Sequence, residues 1–101
     1  MDELKQKAIR HHYAKLIDSL NPLRVMDHLA NLLSLEEIEL IRKSQFTPQE
    51  RTRELIVILC RKNEELGPFD CFIKALEETD NNHEMMAKAI LKTYVCLLFA
   101  R

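Results

Sequence analysis

Apolar residues fall at Ile9, Tyr13, Leu16, Ile17 and Leu20, a spacing that lines one face of a helix. Asn21 and Pro22 end that pattern. Proline suits the first position of the next helix, where its missing N–H would be unpaired anyway, and Leu23, Met26, Leu29, Ala30 and Leu33 then form a second apolar stripe with Arg24, Asp27, His28 and Asn31 facing outward. Ser34 with Glu37 three residues on is a capping-box pattern, predicting a short third helix with Leu35, Ile38 and Ile41 inward. Thr47, Pro48 and Glu50 repeat the start signal for a fourth helix carrying Leu55, Ile56, Ile58 and Leu59, whose breadth of apolar positions predicts a central place. Gly67-Pro68 is the strongest break, with glycine fitted to close one helix and proline to open the next. Phe69, Phe72, Ile73 and Leu76 mark the inner face of the fifth helix. A sixth is expected from about His83, with Met86, Ala89 and Ile90 inward. The connections are short, so the expected fold is an all-α, six-helix antiparallel bundle.

Composition agrees with that pattern. A chain of 101 residues with 47% apolar content can build one core, and one Gly with three Pro leaves few turn-makers for an all-β architecture. Tyr94 to Ala100 is an uncharged apolar run far short of the roughly 20 residues a membrane span needs. The expected organisation is a domain over 1–93, with 94–101 extending the last helix or beginning a following segment. Cys60, Cys71 and Cys96 are odd in number and lack metal-ligand or redox spacing, and the charged N-terminus lacks a secretory pattern, so a reducing cytoplasmic location is expected, with each thiol a small buried hydrophobe.

Candidate chemistry is sparse. His11 and His12 are adjacent and point about 100° apart on a helix, so they are poorly placed to share an ion. No nucleophile sits in a catalytic turn motif, and one glycine cannot make a phosphate-binding loop. The carboxylate pairs Glu36–Glu37, Glu64–Glu65 and Glu77–Glu78 are sequence neighbours expected on solvated helix surfaces or ends. No catalytic residue, cofactor or metal site is assigned. Net charge is −1, which supplies no overall attraction for nucleic acid or an anionic membrane. The sign nevertheless alternates along the chain: +1 over residues 1–20, −3 over 22–41 and +2 over 47–62. A basic face and an acidic face on one small body would let copies or relatives dock head to tail.

From about Leu4 to Leu91 the chain resembles the caspase-recruitment domain of the death-fold superfamily. GPFDCFIKALEET, from Gly67 to Thr79, is similar to the Gly-Pro, aromatic and Ala-Leu-Glu-x-Thr pattern at the fifth helix of caspase prodomains. VMDHL, from Val25 to Leu29, resembles the second helix of a member that activates apoptotic proteases. RELIVIL, from Arg53 to Leu59, resembles the basic-then-aliphatic fourth helix of initiator caspases. The join between the second and third helices departs from the many relatives that carry extra residues around a glycine there.

The resemblance implies a death-fold bundle with Greek-key arrangement, acting without catalysis. Its implied partners are other recruitment-domain proteins, such as a caspase, an adaptor or a nucleotide-binding sensor, in apoptosis or innate immune and inflammatory signalling. Homo-oligomers or filaments are within its repertoire. Carried over to this chain, the basic face comprises Arg10 and Arg53, then Lys7, Lys15 and Arg61; the acidic face comprises Asp27, Glu36, Glu37 and Glu39. A decoy that caps such assemblies is the alternative within the class. A helix-turn-helix nucleic-acid binder is the alternative outside it, disfavoured because the fifth and sixth helices lack a basic stripe.

Overall fold

The computed structural model describes residues 1–43 and 45–100, all helices and connections with no strand among them. The expected first helix is divided into α1 (Glu3–His11) and α2 (Tyr13–Ser19). The break is at His12, where the backbone leaves the helical region (φ −109°, ψ 15°) and the N–H turns to the Ile9 carbonyl at 3.0 Å, a 3₁₀-type bond. The His12 carbonyl then starts α2 by accepting from the Leu16 amide at 2.9 Å. Neither Pro nor Gly marks this site. His12 Nε2 instead lies 2.7 Å from Thr93 Oγ1, near the other end of the chain, and this contact anchors the break.

α3 (Pro22–Asp27) is shorter than the apolar stripe implied. Beyond Asp27 the chain runs in turns, held by bonds such as Leu29 N–H to Met26 O and Leu32 N–H to Leu29 O, both 2.9 Å. Leu29 and Leu33 are still buried, but Ala30 is exposed: loss of the helical phase turns it out of the stripe. The join to α4 (Leu35–Ile41) is therefore longer than expected. α4 and α5 (Pro48–Arg61) both begin on complete capping boxes, Ser34 with Glu37 and Thr47 with Glu50.

A single 3₁₀ turn (Glu64–Leu66) closes on Gly67, whose φ of 62° is left-handed. Pro68 opens α6 (Pro68–Thr79). After one extended residue, Asp80, α7 runs without a break from Asn81 to Phe99, so the apolar run forms its last turns. It starts two residues before His83 because Asp80 is the N-cap, its carboxylate accepting from the His83 amide at 2.9 Å.

α7 packs along both α6 and α1, joining the two ends of the chain. α5 is central, touching α2, α3, α4 and α6. The core between them holds Phe69 and Phe72 of α6 with Ile9, Leu16, Met26, Leu29, Ile41, Leu55, Leu59 and Ile90, all essentially inaccessible. Two hydroxyls are buried at no net loss of hydrogen bonding: Thr52 donates to the Pro48 carbonyl and Thr79 to that of Ala75, each four residues back. Ala87, not Ala89, occupies a fully buried position of α7; Ala89 is half-buried.

Leu35 requires a larger correction. It is 76% exposed. Ile41 is fully buried, and Ile38 and Glu37 lie within about 60° of it on the helix, which fixes the inner face. Leu35 falls about 120° away, on the outer side with Glu36 and Glu39. The thiols also depart from expectation, since Cys60 and Cys71 are only half-buried and Cys96, near the end of α7, is exposed.

Candidate functional site

The outer face of α5 carries Arg53, Val57 and Arg61, four residues apart and therefore in one row along the helix. All three are exposed. Lys7 and Arg10 are both exposed on α1, and the Arg10 charge reaches the Cys60 thiol near the C-terminal end of α5. Burial pushes the Cys60 thiol up; the charges of the N-terminal ammonium and then of Arg10 oppose this only partly. Two carboxylates flank the basic row at its N-terminal end, Glu50 in its capping box and the half-buried Glu54.

Lys15 stands apart from this group. On α2 it lines a hollow with Ser19, Asn21, Asp80, His83 and Met85, against the start of α7. None of the five nominated basic residues forms an ion pair among the described residues. Lys5 and Lys62, which were not nominated, are instead taken up internally by Glu64 and Glu37.

The acidic nominees divide in the same way. Glu36 and Glu39 are exposed on the outer face of α4 and form no ion pair among the described residues. Asp27, at the end of α3, lies 3.7 Å from Arg42, both side chains largely in water, where such a pair contributes little. Glu37 points inward. It accepts from the Ser34 amide at 2.9 Å and from Lys62 Nζ at 2.6 Å, fastening α4 to the end of α5. Burial pushes its carboxyl up, but the bonds from Lys62 and Ser34 outweigh this and hold it below the usual carboxylate range.

One polar cluster escaped the sequence reading. His83, 4% exposed, sits where α3 begins beside the α6–α7 turn. The Asn21 amide donates to its Nε2 at 2.9 Å, so that nitrogen is the acceptor and the ring proton is on Nδ1, 2.7 Å from the Asp80 carboxylate. Arg24 completes the cluster by donating to the Thr79 carbonyl at 2.7 Å and to the other Asp80 oxygen at 3.3 Å. Asp80 lies three residues before His83, but a lone histidine carries no spacing signal for Asn21, which lies 62 residues away in the chain.

The described residues form a helical bundle with exposed charge of both signs, and no helix among them is long and apolar enough to cross a membrane. The chain matches the model of the caspase recruitment domain family over residues 6–89, and it belongs to that family. No curated protein and no solved structure matches it. The fold is thus the death-fold bundle, with the first of its six helices in two pieces. Domains of this family are protein-interaction modules that bind other domains of the same fold.

Proposed function

We propose that this chain docks onto other recruitment domains through charge complementarity. In this reading Arg53 and Arg61 of α5, flanked by Arg10 and Lys7 of α1, meet the equivalents of Asp27, Glu36 and Glu39 on a partner, or the acidic set here meets a partner's basic row. The outcome is recruitment of a caspase or signalling partner in apoptosis or innate immune signalling, in the cytoplasm and without cofactor or catalysis. The functional unit is taken as 1–93. The supporting observation is that Lys7, Arg10, Arg53 and Arg61 stand exposed on α1 and α5 and Asp27, Glu36 and Glu39 on α3 and α4, while the carboxylate and lysines used by the fold, Glu37, Lys62 and Lys5, are paired internally. Lys15 and Glu37 are the weakest members of their sets, the first because it faces the α7 hollow and the second because its bonds are made.

The test is capture of a panel of caspase, adaptor and sensor recruitment domains by wild-type, Arg53→Glu and Asp27→Lys proteins. Each reversal should weaken binding by about tenfold or more, with circular dichroism and melting temperature nearly unchanged. Added salt should weaken wild-type binding, because exposed charges are screened over about 10 Å at 0.1 M ionic strength. Undiminished capture by both folded variants would refute charge-complementary docking.

A further inference from the structure

Thr47-Pro48 is the one Thr-Pro or Ser-Pro pair in the sequence. It stands where the connection from α4 runs into α5, and Thr47 is exposed, as are the described residues from Arg42 to Glu50 apart from the half-buried Phe46. The Thr47 backbone is extended (φ −73°, ψ 162°), and its hydroxyl and amide are held only by the capping box, Glu50 N–H to Thr47 Oγ1 and Thr47 N–H to the Glu50 carboxylate, both 3.1 Å. Beside this cap the fold leaves a cation incompletely paired. Arg51 is one turn on, its amide bonded to the Thr47 carbonyl at 3.0 Å. Its side chain turns back to the connection, where Nη2 donates to the Lys43 carbonyl at 3.0 Å, while Nε is buried without a partner among the described residues. Arg51 forms no ion pair among those residues, and the neighbouring Glu50 carboxylate is taken by the Thr47 amide. Buried donors are costly to leave unpaired, and what this one lacks is an acceptor.

We propose that Thr47 is a phosphorylation site for a proline-directed protein kinase, and that Arg51 holds the phosphate at the start of α5. Such a kinase reads the residue after the acceptor hydroxyl, where proline fixes φ and has no N–H to leave unpaired. In the transfer Thr47 Oγ1 attacks the γ-phosphorus of ATP; the Oγ1–P bond forms as the bond to the ADP oxygen breaks, and the hydroxyl proton passes to the base of the kinase. The new group carries roughly −1.5 to −2 charge at neutral pH and three acceptor oxygens. It stands at the amides of the first turn, where the helix dipole favours an anion, and it supplies the acceptor that the Arg51 guanidinium lacks. The Glu50 carboxylate is repelled and releases the Thr47 amide. The cap of α5 thus passes from a carboxylate to a phosphate, and the helix is kept.

The experiment treats the full chain, and a peptide of residues 42–53 as comparator, with a cyclin-dependent kinase and ATP, and follows labelling by mass spectrometry. Fragment spectra should place one phosphoryl group on Thr47, at a rate within about tenfold of the peptide's, because only the first turn of α5 has to open. Thr47→Ser should still be labelled, whereas Pro48→Ala, which leaves the hydroxyl and its cap in place, should fall to the background rate. Phosphorus NMR should find the phosphate of the labelled chain titrating at lower pH than that of labelled Arg51→Gln, since the guanidinium favours the doubly charged form. Arg51→Lys, which keeps the charge without the Nε donor, should fall between, with native circular dichroism throughout. No label on Thr47, labelling slower than that tenfold margin, Pro48→Ala labelled as wild type is, or a phosphate that titrates alike with and without Arg51 would overturn the proposal.

Discussion

Glu37 and Lys62 lie 25 residues apart, yet their contact decides which acidic residues of α4 are available to a partner. The Glu64 carboxyl is likewise held down by the hydrogen bond from Lys5, and that of Asp80 by the His83 amide and then its imidazole. A carboxyl depressed in the folded protein stabilises it above the unfolded-state value, and this stabilisation is lost as pH falls through the folded one. All three therefore act in the same direction. Urea midpoints should hold at neutral pH and drop below about pH 4. Glu37→Gln should cost about 1 kcal/mol at pH 7 and make the acid limb shallower, as read from urea titrations at a series of pH values. The Ser34–Glu37 capping box was legible because both partners lie within one turn. Lys62 was not, because nothing local relates it to Glu37, so a carboxylate engaged by the fold entered the docking set beside Glu36 and Glu39.

Element boundaries were readable wherever they depend on a local hydrogen bond or a fixed φ. Ser34, Thr47, Pro22, Pro48, Gly67 and Pro68 all stand where their chemistry placed them. What failed was phase and continuity. The break at His12 coincides with a contact to Thr93, the turns after Asp27 keep Leu29 and Leu33 buried, and Leu35 faces outward while Glu37 reaches the end of α5. None of these is encoded within one helix. Gly67 offers a clean test at this scale. Its surroundings leave room for a methyl group, so Gly67→Ala should lose only the cost of a left-handed backbone, about 1 kcal/mol. Gly67→Asn should lose less, since asparagine tolerates that region. Denaturant midpoints of the two variants at equal slope would check the ordering.

Across the whole molecule the fold class was the most legible feature, because one glycine and six apolar stripes allow little besides a helical bundle. The fate of the apolar end was less so. The Tyr94 ring packs tilted against that of Phe69, with centroids 5.3 Å apart, and Leu97 also packs on the core, whereas Val95, Leu98 and Phe99 are exposed, Phe99 by 85%. If residues 1–93 hold the domain, removing everything from Tyr94 onward should leave a cooperative unfolding transition that is less stable by about 2 kcal/mol. A broad, non-cooperative transition would place the boundary beyond Tyr94.

The cluster of Asn21, Arg24, Asp80 and His83 also bears on how the protein is made. As the chain leaves the ribosome, the amide that opens α3 finds its acceptor only after residue 83 has emerged, and α1 meets its long partner α7 later still. The domain thus depends on contacts between its first and last helices, which carry a large loop-closure cost before any reward. Folding of the domain then waits for α7, and a chain interrupted before that helix would be a product with apolar faces still open, a substrate for chaperones rather than a smaller version of the domain.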